Sequence, residues 1–342
     1  MAPIDRRGFL RLAAGAALAS PLRVFDLAGA SEPAGPLLRL AYLSDTHLRE
    51  RDVDDRAARG ALRAVARINA LDPPPALVLF GGDLTEHGTP SELELGRQIL
   101  GEIRAPVKMV AGEHDWYLDL GAAWRRLFGP PSHSFDLRGV HFVGLHSVGE
   151  ADFWSSRGLA PVEREREATA LDGRLRGPFE VGAAQRGWLS DDLSRVAPDT
   201  PIVLFTHVPL YPYHPAWSFG VSDWAEVQAL LRPRSRVTVV HGHTHQLLCH
   251  RVGGIDFHGM LSTAWPLPYP PQDLPPLAVQ MTRPDPFDPF DGCGDGQLLV
   301  ARDGSVDVRH DLWDRDPITV TARYLESGGR LDRPPAPPSP AY

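Results

Sequence analysis

The stretch LRLAYLSDTH at residues 38–47 joins an apolar run directly to a polar cluster. The run shows no regular polar alternation, as expected for a strand that is covered on both faces. Asp45, Thr46 and His47 follow at the point where the strand should end. Because ligands bind at the carboxyl ends of strands in open α/β sheets, this stretch predicts a site at such an edge.

The same arrangement recurs along the chain. Later apolar runs at 76–80, 107–110, 202–205 and 237–240 are followed by the clusters Gly82-Asp83, Gly112-Glu113-His114-Asp115, His207 and Gly242-His243-Thr244-His245. A further run at 140–145 and helical patterns at 55–71, 91–103, 120–128, 183–196 and 222–231 lie between them. Alternating strands and helices predict an α/β fold with a mixed or mostly parallel sheet.

Shorter signals refine this outline. Ser91 and Glu94 have the spacing of a capping box at the start of the second helix. Two late hairpins are expected around Gly253-Gly254 and Asp303-Gly304, which suggests an antiparallel contribution near the end of the chain.

The clustered side chains are typical metal ligands. Carboxylates and imidazoles suit Zn²⁺, Mn²⁺ or Fe ions. The candidate donors are Asp45, His47, Asp83, Glu113, His207, His243 and His245. This set exceeds what one tetrahedral ion can use, whereas two ions about 3.5–4 Å apart that share one carboxylate would use all of it.

The ordered set Asp-x-His, Gly-Asp, Gly-x-His-Asp, His and Gly-His-x-His resembles the calcineurin-like metallophosphoesterases over roughly residues 37–265. The resemblance implies a four-layer sandwich of two packed mixed β-sheets flanked by helices. It implies two divalent or mixed-valence ions (Mn, Fe or Zn), one held by Asp45, His47, Asp83 and His245, the other by Asp83, Glu113, His207 and His243. It further implies attack on phosphorus by a hydroxide between the ions, while His114, oriented by Asp115, protonates the leaving oxygen.

Glu113 departs from the family pattern, which usually has Asn at this position. The extra carboxylate makes the ligand set more negative, so the site should attract phosphate less strongly. We therefore expect either a preference for a trivalent ion or a less anionic substrate, such as a phosphodiester.

Composition narrows the function classes. The 342-residue chain carries a formal charge of −8, which argues against nucleic-acid binding. Lys108 is its only lysine, which argues against a Lys-dependent phosphate loop or Schiff-base enzyme.

We expect a phosphoesterase that acts on small phosphate mono- or diesters, with diesters preferred. The alternatives are a non-catalytic metal-holding module and another metal-dependent hydrolase or oxidase on the same fold.

The first residues have the layout of an export signal. Arg6 and Arg7 precede Gly8-Phe9-Leu10 and a short apolar core, which resembles a twin-arginine signal over residues 1–30. We therefore expect the twin-arginine export machinery as a partner and a periplasmic or secreted protein without a stable membrane span. Residues 31–327 are expected to form the catalytic domain, and the Pro-rich residues 328–342 a disordered tail.

Several remaining residues admit a structural explanation. Cys249 and Cys293 could form one disulfide or remain two free buried thiols. Five histidines in strand-like stretches are expected to be structural, namely His133, His141, His250, His258 and His310. The aromatic stretches 208–224 and 264–276 either wall a pocket or fix long loops to the core, and segment 150–182 is expected near the site.

Overall fold

Two β-sheets form the centre of the molecule. The computed structural model describes residues 37–50, 55–149, 158–170, 179–270, 274, 276 and 279–329. The strands are β1 Leu38–Leu43, β2 Leu77–Phe80, β3 Val107–Met109, β4 His133–Leu137, β5 Val140–Leu145, β6 Ile202–Thr206, β7 Val237–His241, β8 Leu248–Val252, β9 Ile255–Gly259, β10 Val279–Gln280, β11 Gly294–Val300, β12 Val306–Leu312 and β13 Ile318–Val320. The first sheet has the order β13-β12-β11-β1-β2-β3, and the second β10-β8-β9-β7-β6-β5-β4.

Both sheets are mixed. In the first sheet β1, β2 and β3 run parallel, and β11 pairs antiparallel with β1. In the second, β5, β6, β7 and β9 run parallel, while β4 and β8 pair antiparallel with their neighbours. The parallel strands of each sheet thus end at a common edge, which is where a site is expected in such sheets.

The apolar runs form strands because both of their faces are buried. Inward-facing residues of the two sheets meet in one apolar layer, which includes Leu40, Leu79, Phe142, Phe205, Val240 and Leu298. The opposite faces of the strands pack under the helices, with β2 contributing Val78 and Phe80 there. The four-layer α/β sandwich predicted from the sequence is confirmed.

The helices flank the sheets. They are α1 Arg56–Asn69, α2 Pro90–Leu100, α3 Glu113–Trp116, α4 Ala122–Phe128, α5 Pro161–Thr169, α6 Ala183–Ser194, α7 Trp224–Leu231 and α8 Ala322–Glu326.

The capping box predicted at Ser91 and Glu94 was wrong by two residues. Thr89 caps α2 and pairs reciprocally with Glu92, because Pro90 occupies the first helical position. Glu94 instead binds Arg97 on the exposed face.

The late part of the chain completes both sheets. The expected hairpins are present as β8–β9 and β11–β12. Cys249 and Cys293 are both buried free thiols, so the disulfide alternative is not realised. The proposed signal at 1–30 and nearly all of the proposed tail at 328–342 lie outside the described residues. Within the described ranges, no helix combines the length and apolarity needed to cross a membrane.

Candidate metal centre

The polar clusters converge at the carboxyl ends of the parallel strands. Asp45 and His47 follow β1, Asp83 follows β2, and Glu113 begins α3 just beyond β3. From the second sheet, His207 follows β6, and His243 and His245 follow β7. All seven predicted ligands are buried, and their donor atoms form overlapping groups within 4.8 Å of one another.

The donors divide into two groups. One contains Asp45, His47 and His245, and the other contains Glu113, His207 and His243. Asp83 lies between them, since its Oδ2 is 3.2 Å from Nε2 of His207 and 3.7 Å from Nε2 of His47. This arrangement matches a pair of sites that share one carboxylate.

Backbone conformation orients the side chains of the candidate ligands. Five of the candidate ligands have φ between +46° and +65°, namely Asp45, His47, Asp83, His243 and His245. Left-handed backbone at a residue other than glycine costs about 1–3 kcal/mol, and such residues cluster at functional sites. Because five such residues occur together, the turns after β1, β2 and β7 indicate a functional site that is built at some cost in stability.

One glycine keeps space open at the centre. A Cβ built on Gly112 would lie 1.9 Å from Oδ1 of Asp83. Any side chain at this position would therefore displace the carboxylate that lies between the two groups of donors.

Backbone carbonyls orient most of the imidazoles. Nδ1 of His207 donates to the carbonyl of Gly81 at 2.7 Å, and Nδ1 of His245 donates to the carbonyl of Trp265 at 2.7 Å. Nε2 of His243 donates to the carbonyl of Ser218 at 3.1 Å. Each bond leaves the other ring nitrogen as a lone pair that points into the centre.

Glu86 is a functional residue that the sequence analysis missed. Its carboxylate accepts from Nδ1 of His47 at 3.0 Å and binds Arg49 at 2.9 Å. Although burial opposes ionisation, the bond from His47 lowers the pKa of Glu86 to about 2. The signal available in the sequence was only its position three residues after Asp83.

The ring nitrogens that face the centre favour a bound cation. Nε2 of His47 lies 3.2 Å from Nε2 of His245, and both rings donate through Nδ1 elsewhere. In these tautomers two acceptors face each other, which is repulsive unless a positive ion lies between them. Oδ2 of Asp45 is also buried without a hydrogen-bond partner in the described part of the chain. The donor set therefore fits metal ions.

Glu113 lies among the candidate ligands. Its Oε1 is 2.8 Å from Nδ1 of His243, and its Oε2 is 2.9 Å from Nε2 of His207. Burial opposes its ionisation, but these two imidazoles hold the pKa of Glu113 well below its usual range. The carboxylate is thus an anionic member of the cluster.

His114 borders the cavity, with 13% of its side chain exposed. Its Nδ1 donates to the carbonyl of Glu86 at 2.7 Å, and its Nε2 lies 3.9 Å from Oδ2 of Asp83. Burial disfavours the charged ring, but Asp83, Glu113 and Glu86 together raise the pKa of His114 to about 9. The ring therefore lies at the edge of the cavity, where a proton donor is required.

The predicted orientation of His114 by Asp115 was wrong. The Asp115 carboxylate accepts from the backbone N–H groups of Leu84, Thr85 and Gly112, at 2.9–3.1 Å, and from the Thr85 hydroxyl. It ties the turn after β2 to the start of α3. The carbonyl of Glu86 is the group that orients His114.

A cavity of about 170 Å³ opens over the centre. Trp217 and Ser218 from the first aromatic stretch, and Trp265 and Leu267 from the second, line it. Segment 150–182 contributes residues 168–170 and Phe179. Tyr213 and Phe219 of the first stretch are instead buried in an apolar cluster, so that stretch serves as both wall and anchor.

Known proteins share this sequence pattern. The family "Calcineurin-like phosphoesterase" matches residues 38–247. A probable cyclic nucleotide phosphodiesterase from Synechococcus is 29% identical over 237 residues, which cover 66% of this chain and 81% of that protein. A glycerophosphodiester phosphodiesterase from Enterobacter lignolyticus is 26% identical over 246 residues, covering 69% of this chain and 81% of that protein.

Solved structures share the fold. A dimetal phosphatase from Danio rerio has a TM-score of 0.56 at 13% identity and covers 84% of this chain and 99% of its own. GAP50 from Plasmodium, described as the anchor in the inner membrane complex, has a TM-score of 0.52 at 14% identity, covering 83% of this chain and 88% of its own. At this identity the likeness concerns architecture. The matched family, together with the strand-end clusters that carry it, shows that the chain belongs to the calcineurin-like phosphoesterases, hydrolases of phosphoester bonds.

Proposed function

We propose that this chain is an exported dimetal phosphodiesterase that acts on small-molecule diesters. Asp45, His47, Asp83 and His245 would hold one ion, and Asp83, Glu113, His207 and His243 the other. The observation that carries the proposal is the meeting of buried carboxylate and imidazole donor atoms from both sheets beneath one cavity. Mn, Fe and Zn all suit this set of oxygen and nitrogen donors.

The charge of the cavity favours diesters. A phosphodiester carries one negative charge, whereas a monoester dianion carries two. Among the described residues that line the cavity, none is Arg or Lys, and three are the acids Asp83, Glu86 and Glu113. The bound ions would be the main source of positive charge, and Glu113 offsets part of it. The relatives named as phosphodiesterases agree with this substrate class.

The chemistry divides between the ions and the chain. When bound, two ions supply Lewis acidity for attack on phosphorus. His114, held by the carbonyl of Glu86 at Nδ1, would carry a proton at Nε2 and pass it to the departing alkoxide. His207 and His243, fixed by the carbonyls of Gly81 and Ser218, keep their ligating nitrogens in place without adjustment during the reaction.

Turnover of two chromogenic substrates tests the proposal. The purified protein, loaded separately with Mn²⁺, Fe²⁺ or Zn²⁺, should hydrolyse bis-p-nitrophenyl phosphate with a kcat/KM at least about tenfold above that for p-nitrophenyl phosphate. Glu113→Asn should lower the ratio of diester to monoester kcat/KM, because it removes one negative charge from the cavity. A monoester preference would overturn the diester assignment, and no turnover with any metal would favour a non-catalytic binding module.

Export needs a separate test, because residues 1–30, which contain the proposed signal, lie outside the described structure. The pair Arg6 and Arg7 before Gly8-Phe9-Leu10 supports a twin-arginine signal and hence a periplasmic or secreted enzyme. Replacing both arginines by lysine should retain the full-length chain in the cytoplasm. Arg11→Lys is the control, and export of the double variant through the same route would contradict the signal.

A further inference from the structure

A second cluster of metal-ligating side chains lies between the two sheets, and it shares no residue with the candidate metal centre. Cys249 on β8 and His258 on β9 are register partners in the second sheet. His310 lies on β12 in the first sheet. All three side chains are fully buried. Their donor atoms lie within 4.8 Å of one another, so the cluster spans the interface between the sheets.

The distances suit a bound ion. Sγ of Cys249 lies 3.5 Å from Nε2 of His310. An ion with metal–sulfur and metal–nitrogen bonds of about 2.3 and 2.0–2.1 Å at a tetrahedral angle holds those two atoms roughly 3.5–3.6 Å apart. The same distance would serve a weak S–H···N hydrogen bond, so it does not decide between the two alternatives.

His258 and His310 favour the ion. Both ring nitrogens of His258 and Nδ1 of His310 lack a hydrogen-bond partner within the described residues. The Cys249 thiol contacts Nε2 of His310 and leaves the His258 ring without a hydrogen-bond partner within the described residues, whereas one metal ion would engage both rings.

We propose that Cys249, His258 and His310 bind one thiophilic metal ion, Zn²⁺ or Cu⁺, that cross-links the two sheets. A thiolate with two imidazoles is a softer ligand set than the carboxylates and imidazoles of the candidate metal centre. The two sites should therefore differ in their order of metal preference. This inference replaces the expectation that His258 and His310 are purely structural.

Cobalt substitution tests the site through its sulfur ligand. The full chain, produced in cobalt-supplemented medium, should show a thiolate-to-cobalt charge-transfer absorption in the near ultraviolet. None of the candidate ligands at the other centre contains sulfur, so this band reports Cys249 alone. Cys249→Ser should lose the band and bind one metal equivalent fewer than wild type. Cys293→Ser, which alters the other buried thiol, should retain both.

A second variant guards against misfolding. His258→Gln keeps the cysteine and should still weaken the band and remove one metal equivalent. Elemental analysis after growth with zinc or copper then identifies the ion. A wild-type protein without the band, or with the same metal content as Cys249→Ser, would overturn the proposal and leave a thiol–imidazole hydrogen bond as the explanation.

Discussion

The carboxylate of Glu86 accepts a hydrogen bond from Nδ1 of His47 at 3.0 Å, and this bond directs Nε2 of His47 into the metal centre. Carboxylates that orient ligating histidines raise ligand basicity, and their loss typically weakens metal binding 10–100-fold. Glu86→Ala should therefore bind the first-row metals about 10–100-fold more weakly. Because the carbonyl that orients His114 is retained, kcat at saturating metal should fall far less than in His114→Gln.

Metal titration followed by calorimetry or by recovery of activity measures this effect. Glu94→Ala is the matched control, because within the described residues Glu94 bonds to Arg97 and Gln98 on the exposed face of α2, away from the centre. Equal metal affinities in wild type and Glu86→Ala would show that Glu86 does not support the ligand set.

Metal removal should both inactivate and destabilise the protein. Without ions, Nε2 of His47 and Nε2 of His245 face each other at 3.2 Å, which is unfavourable in the tautomers described above. Ions that bind only the folded state add about 2.7 kcal/mol at a free concentration 100 times Kd. Thermal unfolding before and after chelation should show a lower midpoint in the apo protein, restored by added metal. An unchanged midpoint would contradict the assignment of this centre.

His114→Gln should separate proton donation from metal binding. Loss of a general acid lowers rates about 10²–10⁴-fold. The loss should be largest for a diester with an alkoxide leaving group and smaller for bis-p-nitrophenyl phosphate, because p-nitrophenolate departs without a proton. Metal content should remain that of wild type. Equal losses on both substrates, accompanied by loss of metal, would instead make His114 a ligand.

Asp115 should matter for stability rather than for the protonation of substrate. Asp115→Ala leaves the buried N–H groups of Leu84, Thr85 and Gly112 without their acceptor. Each buried unsatisfied donor costs about 1–3 kcal/mol, so we expect a loss of about 3 kcal/mol or more in urea unfolding. Asp119→Ala, which removes a cap from α4, should cost about 1 kcal/mol. If Asp115→Asn is as stable as wild type and its pH profile of kcat is shifted, then Asp115 does orient His114 and the structural role argued here is wrong.

Acid should destabilise the fold through its buried histidines. The ring of His146 packs against Trp116, with 4.0 Å between the two ring centroids. Burial lowers the pKa of His146 to about 3. The unfolded chain takes up the proton near pH 6.5, so this contribution is present above that pH and is lost as pH falls toward 3. The loss is about 1.4 kcal/mol per pH unit for each such group. Urea unfolding between pH 7 and pH 4 should show a shallower pH dependence in His146→Phe than in wild type.

Much of the fold followed from local pattern. The apolar runs at 38–43 and 140–145 became β1 and β5, because unbroken apolar character is itself the consequence of burial on both faces. The start of α2 was misplaced because Ser91 and Thr89 are both good capping residues. Only the position of Pro90 at the first turn decides between them.

The side chains gathered at the candidate centre could likewise be named in advance. A donor placed at a strand end is a local property, and parallel strands bring such ends together. Glu86 and the true role of Asp115 could not be named. Their partners are the His47 ring and the backbone amides of Leu84 and Gly112, and such contacts leave no periodic signal in the sequence.

The sequence by itself determined the alternation of strands and helices and the chemical identity of the donors, because strand-forming runs and ligand types are local properties, whereas the four-layer sandwich was implied by the family resemblance. Only the tertiary structure decided which nitrogen of each imidazole faces the centre. That choice depends on carbonyls such as those of Gly81 and Trp265, which lie 126 and 20 residues from the rings they orient. Only the fold, too, brought Cys249 and His310 together across the two sheets, because inter-sheet packing joins segments that are remote along the chain.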